Sequence, residues 1–333
     1  MKDTILILTN TQDGIHTDSV ITHLQKLGER HFRLDIDLLS KGETSVSFYC
    51  DNDSCFFVYE TTHGTVDSRS VKSVWYRRPN NFDFKITDRV QKEFAERELK
   101  TFLEGLWQSL TDAFWIRDPI SLERSRKKVY QLKVARELGF DIPDTIITNS
   151  PSTAKQFMDF QKGRVVFKPL ESGFLDYGDK SYIVPATIMT DAHKGQLELV
   201  RKLPSLFQGF VEKRYDVRVT IVGPEVFAIR IDSQTRPETS VDWRHPNHVG
   251  QLPHKVIELP SVVHNKCLTM MSVFGLQFAT IDFAVDLSER YVFLEVNPNG
   301  QWYWLERLTK APISVSIAHT LASCDDYTRK EVS

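Results

Sequence analysis

The chain has 333 residues, 41% of them hydrophobic, ample for a folded core and enough for two or three domains or lobes sharing one. Its net charge of −2, with acids and bases interspersed, gives no support to general nucleic-acid binding or a membrane surface, and no apolar run approaches a membrane span. The opening Met1-Lys-Asp-Thr-Ile-Leu-Ile-Leu-Thr is too short for a signal peptide, and the sparse cysteines (Cys50, Cys55, Cys267, Cys324) lack a metal-ligand pattern, so they read as reduced thiols in a cytoplasmic protein.

Residues 4–9 are an apolar strand, and 16–28 predict a helix with Ile21, Leu24 and Leu27 on one face, ending at Gly28. A second strand at Phe32-Arg-Leu-Asp-Ile makes a strand–helix–strand order, which suggests an α/β domain with parallel strands. Residues 45–75 alternate short β-type runs with polar turns. From 88 to 110, Phe94, Leu99, Phe102, Leu103 and Leu106 recur at three- and four-residue steps, the pattern of a helix. Asp118-Pro119 marks a boundary. A helix over 122–139 ends in Gly139, a short strand opens at Ile142-Pro143-Asp144-Thr145, and Pro151-Ser-Thr starts another helix. The strand Arg164-Val-Val-Phe167-Lys168-Pro169 leads into a polar stretch, 171–180, with Gly173 and Gly178. Gln208-Gly-Phe-Val-Glu-Lys precedes a hairpin, Val217–Gly223 and Glu225–Asp232. Residues 235–255 lack periodicity and predict a long functional loop, whose histidines (245–254) lack ligand spacing and read as solvated. A final helix covers 311–323.

Near the C-terminus, Phe278-Ala-Thr-Ile-Asp282-Phe-Ala-Val-Asp286 and Tyr291-Val-Phe-Leu-Glu295-Val-Asn297-Pro298 flank the polar turn Leu287-Ser-Glu-Arg290, the signature of a β-hairpin. A four-residue loop sets Asp286 against Tyr291 and Asp282 against Glu295. Two carboxylates so placed repel. A hard divalent cation removes the conflict, with Asn297 on the same face as a third ligand; the alternative is a salt-bridged or partly solvated pair.

Phosphate loops of the Gly-x4-Gly-Lys-Ser/Thr type, Gly-x-Gly-x-x-Gly turns, His-Glu-x-x-His and Gly-x-Ser-x-Gly are all missing from the sequence. Another way to hold phosphates is present. Lys168 ends an apolar strand, where an ammonium needs an anion or water. With a three-residue turn, Gly223-Pro-Glu225, Arg218 and Arg230 face each other, and two like charges so placed call for a shared anion. The alternative pairs them with Asp216 and Asp232 on a solvated face.

This order of motifs (a lysine at a strand end, a polar loop, a Gln-x-Phe-Val hinge, an Asp-x-Arg hairpin, then Asp…Leu-Glu-x-Asn-Pro) resembles the ATP-grasp superfamily over residues 122–323. Its most specific element is Leu294-Glu295-Val296-Asn297-Pro298. Within the superfamily the chain looks most like the maturases of graspetides, microviridin-type ribosomal peptides (RiPPs), which are similar to RimK-type glutamate ligases. Phe32-Arg-Leu-Asp-Ile-Asp37, Val74-Trp75-Tyr76-Arg77-Arg78-Pro79, Asp242-Trp243-Arg244, and Lys128-x-x-Gln131-Leu-x-Val-Ala-Arg136 support that subgroup.

The resemblance implies an α/β protein with α+β lobes: an N-terminal α/β pre-ATP-grasp domain (1–120), then a central (121–205) and a C-terminal (206–333) ATP-grasp lobe with ATP between them. It implies that Lys128 and Lys168 contact phosphates, and that Gln208, Gly209, Phe210 and Val211 form the hinge touching adenine, with Glu212 or Lys213 near the ribose. Asp282, Glu295 and Asn297 are then the Mg²⁺ ligands, and Arg218, with Arg230, steadies the transferred phosphoryl group. The activity implied is that of a carboxylate ligase in the cytoplasm. It activates Asp or Glu side chains of a precursor peptide (leader plus core) as acyl-phosphates and joins them to Thr or Ser hydroxyls or Lys amines. Homodimers are common in such relatives. Alternatives are a RimK-like amino-acid ligase and a non-catalytic ATP- or peptide-binding module. The 171–180 stretch has fewer glycines than many lids of the superfamily. Trp75, Arg77 and Arg78 are candidates for an acidic core peptide or for an inter-domain salt bridge. The segment Asp242-Trp243-Arg244 is a candidate gate for the peptide, and Trp302, Tyr303 and Trp304 are candidates for packing or for a peptide surface.

Overall fold

A computed structural model describes residues 2–79, 82–171, 173–177, 180–244 and 250–324. In the N-terminal unit the strands are β1 (Thr4–Thr9), β2 (His31–Asp35), β3 (Ser45–Cys50), β4 (Cys55–Thr61), β5 (Gly64–Asp67), β6 (Val71–Tyr76) and β7 (Phe114–Ile116). β2-β1-β6-β7 form one sheet, parallel throughout, as the strand–helix–strand order predicts. The helix Gly14–Lys26 stops before Gly28, whose φ of 73° lies in the left-handed region that glycine reaches without a Cβ penalty. β3-β4-β5 form a separate antiparallel meander. Cys50 and Cys55, predicted to be reduced thiols, stand directly opposite in that ladder and are joined as a disulfide, and Cys267 is a buried thiol in the last lobe. The helix Arg89–Gln108 buries Leu103, Leu106 and Trp107, whereas Phe94 and Phe102, predicted on the same face, are exposed.

The single helix predicted over 122–139 is two, Pro119–Ser125 and Lys128–Glu137. The first begins with Asp118 capping Ser121 N–H and proline in the first turn, so the boundary at Asp118-Pro119 is a helix start. Next come β8 (Thr145–Thr148), β9 (Val165–Lys168), β10 (Phe174–Asp176), β11 (Ser181–Ile183), β12 (Thr187–Ile188) and β13 (Ser205–Gly209). β12-β9-β13-β8 make an antiparallel sheet covered by the helix Pro151–Phe160, which Ser150 caps. β10 and β11 form their own hairpin over the stretch expected as a lid. There Gly173 is required because a Cβ would lie 2.2 Å from the Val184 carbonyl oxygen; Gly178 lies outside the described residues.

The last sheet runs β16-β15-β14-β17-β18, all antiparallel, from β14 (Lys213–Val222), β15 (Glu225–Ile231), β16 (His254–Ile257), β17 (Phe278–Asp286) and β18 (Tyr291–Asn297). Val217, Val219, Ile221, Ile281 and Phe283 point to one face, under the helices Ser261–Phe274 and Lys128–Glu137. The helix Ser261–Phe274 has no counterpart in the sequence expectations. On the other face Val222, Ile229 and Phe278 share a core with the helix Ile313–Ser323 and with Ile5, Ile7 and Trp75 of the N-terminal sheet. This continuous core brings the end of β6 against the end of β18. His254, expected to be solvated, sits instead in β16 with its ring edge-on to Trp304 at 5.2 Å; His245 and His248 lie outside the described residues. Among the described residues no helix is long and apolar enough to cross a membrane.

Candidate active site

Asp282 pairs with Glu295 across β17 and β18, as the hairpin pattern predicts. The route differs. The turn holds five residues, so Tyr291 faces Val285 rather than Asp286, and a bulge between Asp282 and Phe283 restores the register. Asn297 pairs with Thr280 on the same face. Gln131 fixes this edge strand from outside: its Oε1 accepts from Val296 N–H at 3.0 Å and its Nε2 donates to Val296 O at 2.8 Å. The sequence carries Gln131 in the helix motif but gives no hint of that contact.

The β14–β15 turn has two residues, not three, because Val222 pairs with Glu225. Arg218 therefore faces Ile229, Arg230 faces Val217, and the two arginines lie on opposite faces of the sheet. Arg230 bonds Asp232 at 2.6 Å and lies over the Tyr215 ring, so the predicted shared anion between Arg218 and Arg230 has no geometric basis. Arg218 is on the carboxylate side, 4% exposed, with Nη1 donating to both Asp282 oxygens at 3.0 and 2.9 Å.

Lys128 opens its helix and reaches Glu295 Oε2 at 3.3 Å and Pro169 O at 2.8 Å. Arg244 Nη1 donates to Glu295 Oε1 at 2.7 Å while Nε and Nη2 hold Asp242. Trp243 is buried against Ile231, Leu252 and Trp304, with the guanidinium of Arg218 5.5 Å from its ring centroid. The carboxylate pair is thus salt-bridged on both members. Burial works against the Glu295 charge, but Arg244, Lys128 and Lys168 outweigh it and hold Glu295 well below the usual carboxylate range. Burial pushes Asp282 up, only partly offset by Arg218 and Arg244. The same burial lowers Lys168 to about 8, against the attraction of Glu295.

Lys128, Lys168, Leu206, Gln208, Leu294 and Glu295 line one cleft between the central and last sheets. Gln208 Nε2 donates to Thr145 Oγ1 at 3.0 Å, while its buried Oε1 has no partner. Gly209 ends β13; Phe210 N–H bonds Arg164 O at 2.8 Å, and Val211 is half-buried. Glu212 points outward to Arg164, and Lys213 is buried against Asp216 at 2.8 Å. A wider hollow near Asp159 and Lys194 contains none of these residues. The donors suit the groups expected here. Two carboxylates and a carboxamide oxygen are hard ligands of the kind Mg²⁺ takes along with phosphate oxygens. Among the described residues no cluster of three or more His, Cys, Asp or Glu side chains forms a self-sufficient metal cage. An ion here would complete its shell from substrate.

Arg77 is fully buried, so it is no open peptide contact. Its salt bridge is to Asp13 within the N-terminal unit, and what crosses to the last lobe is a hydrogen bond to the Asn299 carboxamide rather than the expected inter-domain salt bridge. Arg78 contributes its carbonyl to Asn10 Nδ2 at 2.7 Å. Trp302 is buried in the shared core, with Tyr303 and Trp304 packed on buried clusters, so this aromatic run is packing. Asp13 and Asn299, the partners of Arg77, were missed by sequence reasoning. They are far apart in the chain, and the only sequence signal was the Asn-Pro-Asn-Gly string.

A family model described as the MvdD pre-ATP grasp domain matches residues 4–123. Among solved structures, a RiPP-associated ATP-grasp ligase of Chryseobacterium gregarium, in complex with ADP and a leader and core peptide, is 29% identical with a TM-score of 0.90, over 97% of each chain. The macrocyclase MdnC of Microcystis aeruginosa MRC, bound with precursor peptide MdnA, is 29% identical with a TM-score of 0.85, over 96% of this chain and 99% of that one. The macrocyclase MdnB from the same source is 30% identical with a TM-score of 0.80, over 96% and 99%. No curated protein matches the chain.

Proposed function

This chain belongs to the graspetide-type ATP-grasp ligases, and from that premise we propose that it closes rings in a ribosomal precursor peptide by activating Asp or Glu side chains with ATP. The observation that carries the proposal is the Asp282–Glu295 pair in register, with Asn297 on the same face and Lys128 and Lys168 lining the adjoining cleft. The precursor complexes of similar ligases support a peptide substrate.

A carboxylate is a poor acyl donor because oxide leaves badly. Its oxygen attacks the γ-phosphorus of ATP, ADP departs, and an acyl-phosphate remains. A hydroxyl or amine then attacks the carbonyl carbon, its proton passes to solvent, and inorganic phosphate leaves with the bonding electrons. Lys128 and Lys168 supply positive charge at the phosphates. Gln208, whose buried carbonyl oxygen has no partner, would accept from the exocyclic amine of adenine. Arg218 has a buried, oriented fork for the phosphoryl oxygens and the substrate carboxylate once it leaves Asp282. Mg²⁺ held by Asp282, Glu295 and Asn297 would neutralise the charge on the β- and γ-phosphates.

The test is ADP release with and without the precursor peptide, together with the product mass. Loss of one water per ring supports cyclisation, gain of an amino-acid residue indicates a RimK-like ligation, and no peptide-dependent ADP release indicates a binding module. Asp282→Asn and Glu295→Gln are each expected to lower turnover at least about a hundredfold, as for other preorganised charge-stabilising groups. Full activity in either variant sinks the metal assignment.

A further inference from the structure

Behind the proposed metal ligands the N-terminal unit places two arginines where burial makes charge expensive. Arg77, just past β6, and Arg117, just past β7, are 0% and 1% exposed. Arg77 Nε and Nη2 hold Asp13 at 2.9 and 3.3 Å, and its Nη1 donates to Asn299 Oδ1 at 3.1 Å. Arg117 Nη1 donates to the same oxygen, while its Nε and Nη2 have no hydrogen-bond partner. The Arg117 backbone also adopts φ 66°, a left-handed conformation that costs a non-glycine residue roughly 1–2 kcal/mol. Two buried cations against one carboxylate is a poor arrangement for stability alone.

Its structural effect is directed at the site. Asn299 N–H donates to Asn297 Oδ1 at 3.0 Å. A carboxamide oxygen has two lone pairs, so this bond orients Asn297 and leaves the other pair for a cation. The turn is tight on its far side as well, because Gly300 lies against Thr280 and Arg218.

We propose that Arg77 and Arg117 are positioning residues: they clamp the Asn299 side chain so that its backbone amide holds the Asn297 carboxamide toward Asp282 and Glu295. The clamp makes the N-terminal unit a structural part of the metal site rather than only a neighbour of it. This inference rests on the metal assignment made above.

The experiment titrates Mn²⁺ into the full-length protein loaded with a non-hydrolysable ATP analogue, with free Mn²⁺ read by electron paramagnetic resonance. Outer-shell partners typically contribute 10–100-fold to metal affinity, so Asn299→Ala is expected to weaken Mn²⁺ binding by about tenfold or more. Metal-free affinity for the analogue and the melting temperature are expected to hold. Asn299→Asp, which still offers an oxygen to both arginines, is expected to restore Mn²⁺ affinity; a merely structural role for Asn299 would move the melting temperature instead. If Asn299→Ala does not fold, Asn299→Gln carries the same measurement, because its carboxamide is displaced by one methylene. Glu295→Gln is the reference. Loss of Mn²⁺ in Glu295→Gln with wild-type affinity in the Asn299 variant overturns the clamp alone. Wild-type affinity in Glu295→Gln overturns the metal assignment and the clamp with it.

Discussion

Gly300→Ala tests how closely the turn after the proposed metal ligands is fitted to Arg218, the residue proposed to steady the phosphoryl group. A Cβ at this position would lie 2.2 Å from Thr280 Oγ1, 2.6 Å from Thr280 Cγ2 and 2.9 Å from Arg218 Nη2. Side chains do not approach this closely, so something must move by about an ångström. Thr280 is fully buried near the start of β17, and Arg218 is buried with its Nη1 bonded to both Asp282 oxygens, so neither swings freely into solvent. Overpacking of this kind costs about 1–3 kcal/mol, a fall of a few degrees in melting temperature. An ångström of misplacement at a reacting group costs about a hundredfold in rate. Gly300→Ala is thus expected to lose about two decades of peptide-dependent ADP release while remaining folded at assay temperature. Adding Thr280→Ala removes both nearest atoms but leaves the contact with Arg218. The double variant is expected to regain stability and not turnover, as read by calorimetry beside the kinetic assay. Wild-type turnover in Gly300→Ala refutes the argument, and full kinetic recovery in the double variant moves the effect from Arg218 to Thr280.

Two further outcomes follow from charge placement. Burial lowers Lys168 to about 8, below its unfolded value of roughly 10.4, and a bound phosphate favours the charged form. Nucleotide affinity therefore falls as pH rises through about 8, by up to about tenfold per unit, while the free protein gains stability between that pH and the unfolded value. A fluorescent-nucleotide titration that stays flat from about pH 7 to 9.5 contradicts this. Because Arg230 lies on the face opposite Arg218, Arg230→Ala is expected to keep turnover within a few-fold. Arg218→Ala is expected to lose about 10²–10³-fold, as when one preorganised donor is removed; equal losses in steady-state kinetics would restore a shared role.

What the sequence made legible was local. The Asp282–Glu295 pairing could be read because the strands are short and apolar and the turn is polar. Even so, it was correct through two compensating shifts, a longer turn and a bulge. The Arg218–Arg230 pairing failed for want of such compensation, since one residue fewer in a turn moves every following side chain to the other face. The lysine ending β9 was legible as a cation that needs an anion. The Asp13–Arg77–Asn299 contact was not, because it joins three segments that only the shared core between the N-terminal sheet and the last helix brings together.

The salt bridges on the carboxylate pair have a consequence for the order of arrival. Glu295 is held by Lys128 and Arg244, and Asp282 by Arg218, so the carboxylate pair carries counter-ions of its own. A free divalent cation must evict them and offers them nothing in return. Nucleotide phosphates give those cations a new destination, and the exchange vacates the acids as it fills the cleft. On that logic the proposed metal would enter with the nucleotide rather than ahead of it.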